Sequence, residues 1–289
     1  MAFLEYNPTQ TLYQFCSLNG FRKIIASKVL WCTDLESGND PRELALGYEH
    51  LVDAIEFMRR NDYQSELGQL LTRIIGDVVA GHSRQQAFCA CFSLVADALP
   101  MWREYGDNYC GVSIGFRPTA IKSMPGRIQK VSYLNPATPD AFRRLVRDLA
   151  SNFDPRHSPE DNMYWLEAST AILSAATALK HHSWEYEKEI RFVFMQAREV
   201  DPDIPISKYD DDTPIFWEKP LTRGRENREL EYKTFPFGLR RNGRHDASRA
   251  IARVVLGPRC AASPADLAAE LRESGFEGVE VAASECQIR

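Results

Sequence analysis

The sequence predicts an α+β fold, with a mixed, mainly antiparallel central sheet carrying helical insertions, in one domain over residues 1–289. Strand-like and helix-like segments mix without the regular alternation of a doubly wound sheet. The apolar runs are short, and no internal repeat or low-complexity linker divides the chain. With 289 residues, 44% of them hydrophobic and 26% charged, the chain has globular proportions and enough apolar mass for a core.

The segment LYQFCS is a short strand, and IIASKVLWCT reads as a second, with Asn19-Gly20 as a break between them. The Asp-, Asn-, Gly- and Pro-rich DLESGNDPRE is a loop. From Glu43 to Arg60 apolar residues recur at three and four, the helical period, and Leu67 to Val78 repeats this in a helix ending near Gly81. Residues 87–93 and 109–116 are buried strands expected to pair with each other, and 127–134 is a further strand. Phe142, Leu145, Val146 and Leu149 mark a helix. Ser158-Pro159 and Asp161 supply a cap for a long helix reaching about Lys180. The strand WEYEKEIRFVF follows, from Trp184 to Phe194. Residues 200–231 read as a solvated excursion, and the fold resumes at EYKTFPFGL. The end is a β-α-β unit: AIARVVLG, a helix opened at Ser263-Pro264 and closed by Gly275, and GVEVAAS.

The formal charge of −5 gives no reason to expect a broad basic face for nucleic acid. Seven scattered cysteines read as reduced thiols, and the start of the chain has neither the basic flank nor the apolar run of a secretion signal. No stretch approaches the length of a membrane span, so no membrane is expected as partner and the expected setting is cytoplasmic.

The chemistry is expected in WEYEKEIRFVF. On a strand, the period of two puts Glu185, Glu187, Glu189 and Arg191 on one face, with Ile190, Phe192 and Phe194 on the other. Like charges on one face raise at least one pKa unless a cation answers them. The same pattern also describes an exposed edge strand whose charges discourage pairing. Glu185 is the member expected to face solvent, and Lys188 points away. Proline restricts the residue before it, so Asp40, next to Asn39, has a fixed direction; it serves a ligand or caps the following helix. Trp102 and Tyr105 stack on a planar ring or pack in the core. Cys89 and Cys91 share a strand face as small apolar side chains, and the adjacent His181 and His182 point different ways. Phosphate-loop, dinucleotide-loop, nucleophile-elbow and HExxH motifs are absent, so no metal ligand is assigned.

Taken together, LYQFCS, KVLWCTDLESGNDPRE, CFS, PMWREYGDNYCGVSIGF, K-HHSWEYEKEIR and VVLGP resemble the bacterial family known as domain of unknown function 2971. The likeness extends over nearly the whole chain, with Arg42 standing where an aromatic or apolar residue is more usual. The family in turn looks like a remote relative of ADP-ribosyltransferases. That resemblance implies an NAD-consuming transferase, with NAD as substrate and a protein or nucleic acid as acceptor, in phage defence or as a toxin effector. It assigns catalysis to Glu187, Glu189 and Arg191, and the nucleotide site to Tyr13, Gln14, Ser17, Asn39, Asp40, Trp102 and Tyr105. Gln14 stands where those enzymes carry His or Arg. The alternatives are a metal-dependent nuclease using Asp40, Glu43, Glu187 and Glu189, and a non-catalytic ligand-binding or sensor module.

Overall fold

The structure, a computed structural model, describes residues 6–37, 43–62, 64–134, 140–198, 203, 205–209, 211–225 and 228–288. The strands are β1 (Leu12–Cys16), β2 (Val29–Asp34), β3 (Gln85–Ser93), β4 (Val112–Phe116), β5 (Arg127–Lys130), β6 (Ser132–Leu134), β7 (Leu179–His181) and β8 (Glu189–Ala197). They continue with β9 (Pro205–Lys208), β10 (Pro214–Phe216), β11 (Leu221–Arg225), β12 (Arg228–Pro236), β13 (Leu239–Arg241), β14 (Arg244–Asp246), β15 (Ile251–Leu256) and β16 (Glu280–Ala283). The helices are α1 (Leu18–Ser27), α2 (Glu43–Asn61), α3 (Glu66–Arg84), α4 (Leu99–Glu104), α5 (Pro118–Lys122), α6 (Asp140–Ala150), α7 (Asn162–Leu173) and α8 (Pro264–Glu273). This is an α+β fold with a mixed, mostly antiparallel sheet.

Its main sheet runs β11-β12-β2-β3-β1-β4-β15-β16, with β8 also on β3 and β5 on β8. The branch at β3 shapes the molecule. β8 pairs with β3 along its whole length, from Gln85↔Ala197 to Ser93↔Glu189. On the other edge β2 takes only Phe88 and Cys89, and β1 only Ser93. β1 and β2 therefore splay apart and leave a cleft facing the middle of β3.

Alternation along β3 and β8 separates two cores. Ala87, Cys89 and Val193 join the helical layer of α2, α3, α6 and α7, whereas Phe88, Ala90, Phe92, Ile190, Phe192 and Phe194 face a second core under α1, α5 and α8. Among the described residues no helix is long and apolar enough to cross a membrane.

Several expectations give way to long-range packing. IIAS is helical: Ser17 caps α1 through Gly20 N–H, and Phe21 and Ile25 meet the core one turn apart. β3 and β4 do not pair, because β1 lies between them. Residues 127–134 form two short strands with different partners, β5 on β8 and β6 on β7. The helix after Asp161 stops at Leu173, and the buried SAATA run continues as a 3₁₀ turn into β7. Much of 200–231 is built into sheets: the β11–β12 hairpin widens the main sheet through β2.

The terminal β-α-β unit forms as expected. β15 and β16 pair in parallel, a capping box at Ser263 and Asp266 starts α8, and Gly275 follows it with φ +82°.

Candidate functional site

The cleft encloses about 610 Å³ between β1, β2 and β3. Its acid end joins one short run of chain, Lys180 to Arg191, to Glu43 of α2 and Tyr105 after α4, which sequence separates widely from it. A 3₁₀ turn, His182–Glu187, and a left-handed Lys188 with φ 43° precede β8. The acid segment is thus a turn followed by a strand. Glu185 is exposed on the turn, Glu187 folds inward from its end, and only Glu189 and Arg191 keep strand spacing.

Glu187, Glu189, Arg191, Lys180 from β7 and Glu43 at the start of α2 are all buried. Arg191 donates from Nε to Glu189 Oε1 at 2.7 Å, from Nη2 to Glu189 Oε2 at 3.0 Å, from Nη1 to the Thr177 carbonyl at 2.5 Å, and from Nη2 to Glu43 as well. Lys180 Nζ donates to Glu187 Oε2 at 2.6 Å and to Glu189 Oε2 at 3.1 Å. The Tyr105 hydroxyl donates to Glu187 Oε1 at 2.5 Å. Backbone joins in: Ser93 Oγ donates to the Glu187 carbonyl at 2.7 Å, and Glu189 N–H donates to the Tyr133 hydroxyl at 2.8 Å.

The two glutamates titrate in opposite directions. Burial tends to raise Glu189, but the charge and hydrogen bonds of Arg191, with Lys180 behind them, hold it far below the ordinary carboxylate range. Burial raises Glu187, the Glu189 charge adds to it, and Lys180 and Tyr105 offset only part. Burial also works to lower Lys180; the charges of Glu189, Glu43 and Glu187 prevail and raise it. Burial and the Glu187 charge raise Tyr105, so its hydroxyl remains a donor. With all five ionised, three carboxylates face two cations and leave one negative charge at the cleft.

Tyr13, Gln14, Ser17 and Tyr105 all line this cleft. Gln14 Oε1 is buried with no hydrogen-bond partner among the described residues. Trp102 is a correction: it is fully buried, edge-on to Phe15 at 4.8 Å, with Nε1 bonded to Asp97, and it packs beneath the cleft instead of lining it. Asn39 and Asp40 lie outside the described residues. Cys89 is buried, whereas Cys91 is exposed and opens into the cleft. His181 and His182 are exposed, and His181 Nδ1 accepts from Ser183 N–H at 3.3 Å to cap the 3₁₀ turn.

Sequence reasoning missed Lys180, Trp184, Trp31, Lys23 and Arg223, all of which line the cleft. Lys180 had a signal, since it is the last base before the acids. Trp31 had one too: β2 alternates Leu30, Cys32 and Asp34 inward, which leaves Trp31 on the open face. Arg223 gave none, because a polar hairpin reads as solvated.

A family model described as "Protein of unknown function (DUF2971)" matches residues 101–192, the segment that carries Tyr105, Lys180, Glu187, Glu189 and Arg191. No curated protein and no solved structure matches the chain.

Proposed function

We propose that this chain, which over residues 101–192 belongs to the DUF2971 family of unknown function, is an ADP-ribosyltransferase-like enzyme that consumes NAD in its cleft. The observation that carries this reading is Glu187, held between Tyr105 and Lys180 with a raised pKa beside an ionised Glu189. Carboxylates driven apart in this way divide a task between them. Glu189 has both oxygens committed to cations, so it positions Lys180 and Arg191. Glu187 acts.

In the transfer the ribose C1′–N bond breaks and its electron pair leaves with neutral nicotinamide. The ionised Glu187 hydrogen-bonds a ribose hydroxyl and stabilises the positive charge that develops on the sugar. An oxygen or nitrogen of the acceptor bonds to C1′, and its proton passes to solvent through Glu187. Tyr105 and Trp184 flank the nicotinamide ring. An enzyme that depletes NAD fits the phage-defence or toxin setting implied by the resemblance. Nicotinamide release from NAD, with and without lysate as acceptor, tests the reading: wild type releases it and Glu187→Gln does not. An inactive wild type overturns it.

One observation favours a binding module instead. A glutamate locked by a buried arginine and lysine is a framework element that needs no reaction. A two-metal nuclease is the poorer reading, because Glu43 and Glu189 already direct oxygens at Arg191 and Lys180, where metal ions would have to bind.

A further inference from the structure

The cleft has a second end, opposite the acids, which the chemistry above does not use. β2 presents Val29, Trp31 and Thr33 to it. Trp31 is 37% exposed although it lies well inside the sheet, and Tyr232 of β12 stacks behind it at 4.6 Å and 21°. The guanidinium of Arg223, from β11, lies 5.0 Å from the Trp31 ring and 5.7 Å from the Tyr232 ring, and its Nη2 donates to Thr33 Oγ1 at 3.2 Å. The indole is therefore braced on a rigid aromatic and cationic support, with ring surface still open to the cleft. Lys23, on α1, also lines the cleft; it is exposed and engaged by no carboxylate among the described residues.

The two ends differ in sign. Glu187, Glu189 and Glu43 outnumber Lys180 and Arg191 at one end; at the other, Arg223 stands beside Trp31, and Lys23 adds a further cation to the cleft lining. Each end has its own aromatic surface, Tyr105 and Trp184 near the acids and Trp31 opposite. The Arg223 guanidinium reaches Thr33 of β2, and β2 lies two steps from β8 through β3, about 10 Å at about 4.8 Å a step. Two ring stations with cations on one side and acids on the other match a molecule with two planar rings, an anionic linker and a sugar that becomes positive during reaction. A lone nicotinamide or a free sugar fills only one end.

We propose that Trp31, Lys23 and Arg223 form the subsite for the phosphate and base half of the ligand: the base stacks on Trp31, the phosphates meet Lys23, and Arg223 holds the indole in place. This rests on the reading of the cleft as a dinucleotide site and fixes which end the phosphates occupy. A nucleotide then enters in one orientation, with its reactive ribose beside Glu187.

ADP-ribose and ADP, titrated into the full chain by calorimetry, test the proposal. Wild type binds both. Trp31→Ala weakens ADP by about tenfold or more, as loss of a stacking platform does, and Trp31→Phe restores most of the affinity. Lys23→Gln, an exposed change with little bearing on folding, weakens ADP several-fold and flattens the salt dependence of binding. Glu187→Gln leaves ADP affinity within about twofold, because the acid end does not touch it. Wild type that fails to bind ADP, or Trp31→Ala and Lys23→Gln variants that bind it like wild type, overturns the subsite. The two readings fail separately. Nicotinamide release with an unchanged KM in Trp31→Ala removes the subsite and leaves the enzyme; ADP binding through Trp31 without nicotinamide release from NAD removes the enzyme and leaves the subsite.

Discussion

Glu187 and Glu189 stand two residues apart, and burial with unequal pairing sends them in opposite directions. Glu189 meets two cations within hydrogen-bond distance and stays ionised. Its folded pKa lies below the unfolded value of about 4.3, so its contribution to stability is complete above that value and is lost as pH falls towards the folded one. Glu189→Gln leaves Arg191 and Lys180 buried with fewer counter-charges. The expected loss is about 3–5 kcal/mol in a urea unfolding experiment at neutral pH, with Glu187→Gln costing less because Lys180 keeps Glu189.

Asp34 shows the opposite sign. Buried at the end of β2 and facing the Glu36 charge, its carboxyl is pushed up to about 6. An acid whose folded pKa exceeds its unfolded value costs stability as pH rises from about 4 through 6. Asp34→Asn removes that slope. The variant is expected to be more stable than wild type at pH 8, by on the order of 2 kcal/mol, and indistinguishable near pH 4. A slope that persists between pH 4 and 6 in the variant would place the titration elsewhere.

At the scale of elements, local pattern was readable wherever local physics decided. The three-and-four spacing gave α2 and α3, and Ser263 with Asp266 marked the start of α8. The parity of Glu189, Arg191 and Phe192 was likewise legible, since alternation is a property of any strand. The failures share a cause. IIAS has β-branched residues, yet a capping serine and a core partner for Phe21 and Ile25 made it helix. SAATA continues a helical pattern in sequence, but Ala176 packs against Gly47 so closely that α7 cannot run on beneath α2. A Cβ at residue 47 would overlap the Ala176 carbonyl oxygen. Gly47→Ala is therefore expected to cost about 1–3 kcal/mol, and to slow nicotinamide release as well, because α2 carries Glu43 to Arg191. Thermal unfolding together with a nicotinamide-release assay reads both effects; a variant as stable as wild type contradicts the close packing of α2 on this turn.

At the scale of the molecule, the cleft exists because β3 takes β2 and β1 on one edge at different heights. No local pattern announces that. The acids, Tyr105 and the β1 residues were legible as chemistry, but Trp31 and Arg223 reach the same space only through the pairings that join β11, β12 and β2 to β3, and Lys180 through the turn that leads from β7 into β8. The branched sheet also explains why the strongest ionic network lies inside the protein. It lies on the β8 side of β3, across from the stretch of the other edge that neither β1 nor β2 covers.

The pH dependence of nicotinamide release tests the central claim most directly, measured for wild type, Lys180→Met and Glu187→Gln. The acting form of Glu187 is the carboxylate, and its pKa is raised, so wild-type kcat/KM is expected to climb with an acid limb above the ordinary glutamate value of about 4.3. Lys180 lowers that pKa, and its loss is expected to move the limb further up. Glu187→Gln is expected to remove the activity at every pH. An active Glu187→Gln enzyme, or a limb that Lys180→Met leaves in place, would contradict the assignment of the chemistry to Glu187.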